Sequence, residues 1–332
     1  MTDPDRQKRL DTNELVAETA APAPVTGELP PDDPVHAGTD ASQGQWRDVW
    51  RQFRSHTGAM IALVLFVGVI LFVSIGPYLW TTDPGYVDIL ARNTGFTAEH
   101  PLGTDQLGRD MLARLMIGGR VSIAVGLTAM FIAITLGSFI GVLSGYFRRL
   151  DAPLMRLTEL FLALPLLPLL LLMVTLFREP LSQTFGANRG IFLLIVTAIG
   201  ATSWMQSARI VRGDVLGLKE REFILAAKSI GTPAPRMILR HVLPNVMSPI
   251  MVAATLGIAS AIITESALSF LGLGFPPDFP TWGRLLFDAV DQMQMYPTRV
   301  ILPGIMISLT VLCVNYIGDG LRDAMDPRIR GR

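Results

Sequence analysis

Six long apolar stretches constrain the fold of this chain more than any other feature. A helix needs about 20 mostly apolar residues to cross a hydrocarbon core about 30 Å thick, and each stretch reaches that length with few internal charges. We place the predicted spans at 58–80, 119–146, 152–177, 190–209, 246–271 and 299–320. Half of all residues are hydrophobic and only 17% are charged, which is typical of a membrane protein. The predicted fold class is therefore an all-α polytopic membrane protein with six transmembrane helices.

The basic residues indicate how these spans are oriented. Arginine and lysine concentrate before the first span, in two connections and after the last span, in segments 47–54, 148–156, 209–240 and 322–332. With an even number of spans these segments share one side, which the positive-inside rule assigns to the cytoplasm. The connections on the other side, 81–118 and 272–298, are less basic. We therefore expect both termini in the cytoplasm.

The first 45 residues differ in composition from the rest of the chain. They are rich in Pro, Asp, Ala, Thr and Gly and show no period that could bury a face. We interpret 1–45 as a disordered cytoplasmic tail and 46–332 as the membrane domain. No short apolar core with a cleavage site lies near Met1, so the first span is expected to stay as an anchor.

A polar segment, 219–245, separates the fourth and fifth spans and is predicted to form a cytoplasmic helical hairpin. One helix face carries apolar residues at the i, i+3, i+4 and i+7 positions: Phe223, Ala226, Ala227 and Ile230. A compact polar hairpin between two spans is suited to docking a partner protein.

Turn residues predict where the two helices of this hairpin end. Gly231 ends the first helix. Thr232 can cap the second helix, and Pro233 suits its first turn, where a missing N–H costs nothing. Because Pro244 disfavours helical geometry in Leu243, the second helix is predicted to stop there.

The sequence contains no recognisable catalytic or metal-binding constellation. Cys313 is the only cysteine and falls in the last span, which excludes a disulfide. The four histidines lack metal-binding spacing, and neither a P-loop nor a nucleophile-elbow motif occurs. We expect no enzyme activity, no catalytic residue, and no metal or cofactor bound by this chain. We expect no nucleic acid either, because a helix-turn-helix reader would not be tethered between two spans.

Small residues repeat at four-residue spacing along two spans. They are Gly137, Gly141 and Gly145 in the second span, and Ala253, Gly257 and Ala261 in the fifth. Such strips let helix backbones approach closely. We interpret them as packing surfaces within this chain rather than as a subunit interface.

Two further features lie inside the predicted spans. Pro165 and Pro168 should bend the third span and shape a cavity. Glu265 is an ionisable residue near the outer end of the fifth span, so a role in the pathway has to be considered. We favour an interfacial or capping role for it.

Four sequence blocks, in order across most of the chain, resemble those of one known family. The blocks are 100–127, 221–245, 265–286 and 315–328. From about Trp46 to the C-terminus, the chain resembles the membrane-spanning permeases of bacterial ABC importers in the dipeptide, oligopeptide and nickel group. It resembles specifically the second of their two permeases.

The second block is similar to the loop with which such permeases dock on their ATPases. The family pattern is E-A-A, three residues, Gly, nine residues and then I-x-L-P. Here Leu225 stands in place of the glutamate and His241 in place of the isoleucine, while Glu222, one helical turn earlier, could supply the missing carboxylate. The resemblance implies a docking hairpin formed by Glu222, Ala226, Ala227, Gly231, Arg240, His241, Leu243 and Pro244.

The same resemblance implies a set of partners and a function. The partners are a homologous second permease, two cytoplasmic ABC ATPase subunits that bind ATP and Mg²⁺, and an external substrate-binding protein. Together they would import peptides through the bacterial cytoplasmic membrane, with nickel chelates, glutathione or sugars as alternative cargo. A six-span secondary transporter is the less favoured alternative, because it leaves the hairpin unexplained.

The connection before the second span carries Asp105, Arg109 and Asp110 in close succession. Local ion pairs and turn hydrogen bonds explain this cluster, and we favour that interpretation. The alternative places these three residues, together with Trp282, at an outer gate or at a contact with the binding protein. Trp282 is suited to such an interface because it has an apolar body and a polar tip.

Overall fold

The structure is a computed structural model, and it describes residues 41–325. Most of these residues are helical. The helices are α1 Ala41–Ser55, α2 Thr57–Leu79, α3 Met111–Tyr146, α4 Arg148–Ala163, α5 Leu166–Phe185, α6 Ala187–Lys219, α7 Glu222–Ser229, α8 Ala234–Met237, α9 Leu243–Phe270, α10 Trp282–Val290 and α11 Thr298–Met325. A 3-10 turn, Ile89–Ala91, precedes α3, and a π turn, Ile238–Val242, joins α8 to α9.

Six of these helical segments are long and apolar enough to cross a membrane. They are α2, α3, α5, α6, the continuous segment Ala234–Phe270, and α11. The predicted all-α fold with six membrane helices is confirmed. The predicted tail, 1–45, lies outside the described residues except for its last five, which begin α1.

The third span differs from its predicted bounds of 152–177. The predicted bend is a complete break, since α4 ends at Ala163 and Leu164 adopts an extended ψ of 134°. Pro165 then precedes α5, which is the helix long enough to span. The break follows from proline, which disfavours helical geometry in the residue before it.

The fifth span begins earlier than predicted because Pro244 does not stop the helix. The Leu243 N–H donates to the Ile238 carbonyl, five residues back, so the backbone widens into a π turn. A π turn changes which carbonyls need a donor and gives the proline ring room. The prediction of a helix end at Leu243 is therefore wrong, and the segment runs from Ala234 to Phe270.

The glycine strip of the second span packs against the fourth span, which confirms its interpretation as internal packing. A Cβ atom on Gly137 would lie 2.6 Å from the Trp204 carbonyl oxygen. A Cβ atom on Gly141 would lie 2.6 Å from the Ala208 carbonyl oxygen. Only glycine leaves space for this approach, and α3 and α6 make the most extensive helix contact in the described chain.

We predict that Gly141→Leu disrupts this contact. A leucine cannot displace the backbone carbonyl of Ala208, so the free energy of unfolding should fall by about 3 kcal/mol, the upper end of overpacking costs. Thermal unfolding in mild detergent measures the effect. Gly68→Leu is the matched control, since nothing lies within 4 Å of a Cβ at Gly68 of α2. Equal stability of the two variants would contradict the prediction.

Candidate functional site

A cavity of about 480 Å³ lies beside the break between α4 and α5. Leu164 and Leu166 line it on either side of Pro165, as expected from the predicted bend. The rest of the wall comes from Met130, Phe161, Leu162, Leu169, Thr202, Ser203, Met205, Gln206, Ser207, Ile210, Ala253, Leu256, Gly257 and Ser260. The wall is apolar with a few hydroxyl and amide groups, and it carries no charged side chain.

A second cavity, of about 660 Å³, continues from the first along α6. The two share Gln206 and Ile210. The second cavity is charged, because Glu159, Arg209 and Arg212 are among its lining residues. The two cavities therefore adjoin each other, and the lining changes from neutral to charged toward the basic end of α6.

An ion pair joins α4 to α6 at this charged end. Arg212 Nη2 donates to Asp151 Oδ2 at 2.8 Å, and Ser144 of α3 donates to Asp151 Oδ1 at 2.8 Å. The hydrogen bond from Arg212 is the main cause that lowers the pKa of Asp151 below its usual value. Lys219 adds a further link, since its Nζ donates to the carbonyl oxygens of Gly145 and Tyr146 at 3.1 Å.

The predicted hairpin is present as α7, a tight turn and α8. Gly231 has a φ of +81°, and the Thr232 N–H donates to the Ala227 carbonyl at 3.2 Å, as in a Schellman motif. The predicted cap by Thr232 is wrong, because Pro233 takes the N-cap position and no side chain caps α8. The predicted end of the first helix next to Gly231 is confirmed.

Only one side of α7 is packed. Ile224 and Ala227 are buried and belong to a cluster with Met237 and Val242. Three of the four residues on the predicted apolar face are instead exposed, namely Phe223, Ala226 and Ile230. The hairpin therefore presents an unpaired apolar surface of Phe223, Ala226, Ile230 and, from the π turn, Leu239.

The remaining predicted docking residues are mostly exposed. Glu222, Gly231, Arg240 and Pro244 are exposed, and His241 and Leu243 are half-buried. His241 offers its carbonyl oxygen to the side chain of Asn245 at 2.7 Å. The structure thus brings the predicted docking residues together on one hairpin, with Ala227 alone among them inside the core.

On the opposite side of the chain, the predicted outer cluster forms a buried ion-pair network. Arg109 Nε lies 2.7 Å from Asp105 Oδ2, as the four-residue spacing predicts. Three residues that sequence reasoning did not assign to this cluster complete the network, namely Arg114, Asp288 and Arg284. Arg114 lies 3.2 Å from both Asp105 and Asp288. Arg284 also pairs with Asp288, at 2.9 Å. The Arg114–Asp288 pair joins residues 174 positions apart, so no local pattern signals it.

Asp110 and Trp282 are also structural parts of this outer region. Asp110 caps α3 by accepting from the Ala113 N–H at 2.7 Å, and His100 Nδ1 lies 2.8 Å from its other oxygen. Trp282 is fully buried, and its Nε1 donates to the Leu115 carbonyl at 3.0 Å. Trp282 therefore has no exposed surface for a binding protein in this chain, and a role of these residues at an outer gate stays a prediction.

The adjacent glycines Gly118 and Gly119 are a signal in the sequence for the burial of Trp282. A Cβ atom on Gly118 would lie 3.2 Å from the Thr281 carbonyl carbon, and one on Gly119 would meet the Trp282 ring. The adjacent glycines open the surface of α3 for this indole. A glycine pair at the start of a span can thus indicate that a large side chain from a distant part of the sequence packs against it.

Glu265 lines neither cavity. Its side chain is fully buried, and it accepts from Ser122 Oγ at 3.0 Å and from Ser269 Oγ at 2.7 Å. Ser122 Oγ in turn accepts from the Trp282 N–H at 3.2 Å. The expected interfacial position is wrong, because the carboxyl group joins α3, α9 and the start of α10 inside the protein. A role in the pathway stays a prediction, without support from this position.

Family models match two parts of the chain. Residues 133–331 match the family described as "Binding-protein-dependent transport system inner membrane component". Residues 44–95 match the family described as "N-terminal TM domain of oligopeptide transport permease C".

Curated relatives match nearly the whole chain. "Oligopeptide transport system permease protein OppC" of Haemophilus influenzae is 37% identical, covering 99% of this chain and 98% of that protein. The protein of the same name from Bacillus subtilis is 37% identical, covering 86% and 90%. "Glutathione transport system permease protein GsiD" of Escherichia coli O6:K15:H31 is 36% identical, covering 88% and 93%.

A solved structure supports the fold independently. The permease-containing structure titled "Inward facing conformations of the MetNI methionine ABC transporter" aligns with a TM-score of 0.53 and 17% identity. The alignment covers 65% of this chain and 98% of that chain. At this identity the likeness shows the fold alone.

We predict that the Asp151–Arg212 pair stabilises the protein only above acidic pH. Because the pKa of Asp151 is lowered in the folded state, the stabilisation is complete above the unfolded value of about 3.9 and is lost as the pH falls through the folded value. Thermal unfolding of the wild type and Asp151→Asn should differ by a constant amount from pH 7 to about pH 5, and the difference should shrink below about pH 4. A difference that grows with acid would contradict this assignment.

Proposed function

This chain belongs to the family of binding-protein-dependent transport system inner membrane components and is a permease of the ABC importer type, and we propose that it forms half of a peptide translocation pathway. The observation that carries the pathway proposal is the pair of cavities along α6 that share Gln206 and Ile210. In the proposed importer, a second permease would complete the wall of this path.

The neutral wall of the first cavity supports peptide cargo. Thr202, Ser203 and Ser260 offer hydroxyl groups, and Gln206 offers an amide. Such groups can exchange hydrogen bonds with peptide amides whatever the side chains of the cargo, while the apolar remainder accepts varied side chains. Relatives named for oligopeptide and dipeptide transport point to the same chemical class. Glutathione, nickel chelates and sugars are the alternative cargoes.

The exposed apolar surface of the hairpin supports ATPase docking. Phe223 and Ile230 are 45% and 83% exposed beside buried Ile224 and Ala227, so the hairpin is rigid on one side and unpaired on the other. An exposed apolar patch rimmed by polar residues is typical of a protein interface. Because α8 continues through the π turn into α9, movement of a bound ATPase would be transmitted directly to the fifth span.

The other subunits of the proposed importer are separate chains. They are a homologous second permease, two ATPase subunits that hold ATP and Mg²⁺, and an external binding protein. We propose that the hairpin and both termini face the cytoplasm, in agreement with the distribution of basic residues. The two permeases, the ATPases and the binding protein would together perform alternating access.

We predict that filling the first cavity blocks uptake. Ser260→Trp should abolish most peptide uptake by cells that express the complete importer, because the indole would fill part of the first cavity. Ile263→Trp is the matched control: Ile263 lies one turn further along α9, is half exposed, and lines neither cavity. Uptake is measured with labelled di- and oligopeptides, in competition with glutathione. Normal uptake by a correctly assembled Ser260→Trp variant would remove the cavity from the pathway.

We predict that Gly231→Val uncouples transport from ATP hydrolysis. Valine resists a φ of +81°, whereas open space surrounds Gly231, so the change should act through the turn and not through a clash. Reconstituted complexes should hydrolyse ATP without matching peptide uptake, or should lose the ATPases. Gly213→Val is the control, because Gly213 is a helical glycine of α6 that also has open space. Coupled uptake by the Gly231 variant would contradict a rigid docking turn.

A further inference from the structure

The short helix α1 has one packed face and one free face. Val49 and Phe53 are buried, and their cluster contains Ala59 of α2 and Ala324 of α11. This contact holds α1 against the ends of the first and last spans. The proposed function makes no use of α1.

The free face of α1 is basic and aromatic. Arg47, Trp50, Arg51 and Arg54 follow at i, i+3, i+4 and i+7, so they lie on one side of the helix. All four are exposed, and together they line an open cavity of about 380 Å³. The Trp50 ring stacks on Phe53 with a centroid distance of 5.9 Å, which holds the indole in place beside the arginines.

The connection to α2 places this basic face at the boundary of the bilayer. α1 ends at Ser55 and the first span begins at Thr57, so His56 alone separates them. His56 is itself the N-cap of the span, because its Nδ1 accepts from the Ala59 N–H at 3.0 Å. There is no linker that could carry α1 away from the membrane surface.

We propose that this face, defined by Arg47, Trp50, Arg51 and Arg54, is a binding site for the phosphate headgroup of an anionic phospholipid. Guanidinium groups match phosphate oxygens with two parallel hydrogen bonds, and three of them surround one cavity. A tryptophan beside them is suited to the interface between headgroups and acyl chains. The charge, the aromatic group and the depth set by His56 all agree with a lipid.

A lipid fits this face better than an ATPase subunit does. The docking hairpin packs in a cluster with Val142, Val211 and Val246, whereas α1 packs in a separate cluster with α2 and α11. A headgroup bound here would hold the ends of the first and last spans together through α1. Anionic lipid would therefore stabilise the contact between the two terminal spans.

Fluorescence quenching by brominated lipids tests this site directly. The full chain, purified with the subunits with which it assembles, is reconstituted in vesicles of phosphatidylcholine with increasing phosphatidylglycerol, either lipid carrying the bromine. The difference between wild type and Trp50→Phe isolates the Trp50 signal. We expect brominated phosphatidylglycerol to quench this signal at lower mole fraction than brominated phosphatidylcholine.

Replacing the arginines by glutamine should remove this preference. Each arginine near an anionic surface increases the affinity for that surface about fivefold. The triple variant Arg47→Gln, Arg51→Gln and Arg54→Gln should therefore reduce the preference for anionic lipid roughly a hundredfold. The corresponding triple lysine variant should retain most of it. A control with equal charge loss is Arg148→Gln, Arg149→Gln and Arg156→Gln, three exposed arginines on the segment predicted to share this side of the membrane.

Three results would overturn the proposal. Trp50 could be quenched equally by both brominated lipids in the wild type. The control variant could lose the preference as strongly as the α1 variant, which would reduce the effect to overall charge. The α1 variant could lose its ATPase subunits while keeping the lipid preference, which would assign the face to a protein partner.

Discussion

The close approach of α3 and α6 is the contact on which the rest of this structure depends. Gly137, Gly141 and Gly145 leave no side chain between the two helix backbones, so the fourth span is held at a fixed distance and rotation. Because one face of α6 packs against α3, a different face of α6 lies toward the break between α4 and α5. That face supplies Thr202, Gln206 and Ile210 to the cavity, so a strip of glycines determines the shape of the proposed pathway.

Features with a local cause could be predicted from the sequence. Apolar length predicted the membrane helices, Gly231 predicted the end of α7, and the spacing of Asp105 and Arg109 predicted their ion pair. Proline predicted helix ends less reliably. Pro165 breaks a helix, whereas Pro244 is accommodated by a π turn. The difference depends on whether the backbone can shift its hydrogen bonds, and residue type alone does not contain that information.

Features with a distant cause could not be predicted in this way. Arg114 meets Asp288, and Glu265 meets Ser122, across separations of 174 and 143 residues. Trp282 looked like an interface residue because its partners, the glycine pair of α3, lie far away in the sequence. These contacts show that residues which the sequence suggested for a gate or a pathway also pack and pair inside the outer region.

The π turn between α8 and α9 has a consequence for how hairpin and span are aligned. Its hydrogen bond spans five residues instead of four, so the turn holds one residue more than a regular helix would. One residue corresponds to about 100° of rotation in a regular helix. The π turn therefore sets the angular phase between the apolar surface of the hairpin and the cavity wall of α9. A regular helix of the same length would aim that surface in another direction and would alter the packing of the hairpin against Val246 and Ile250 of the fifth span.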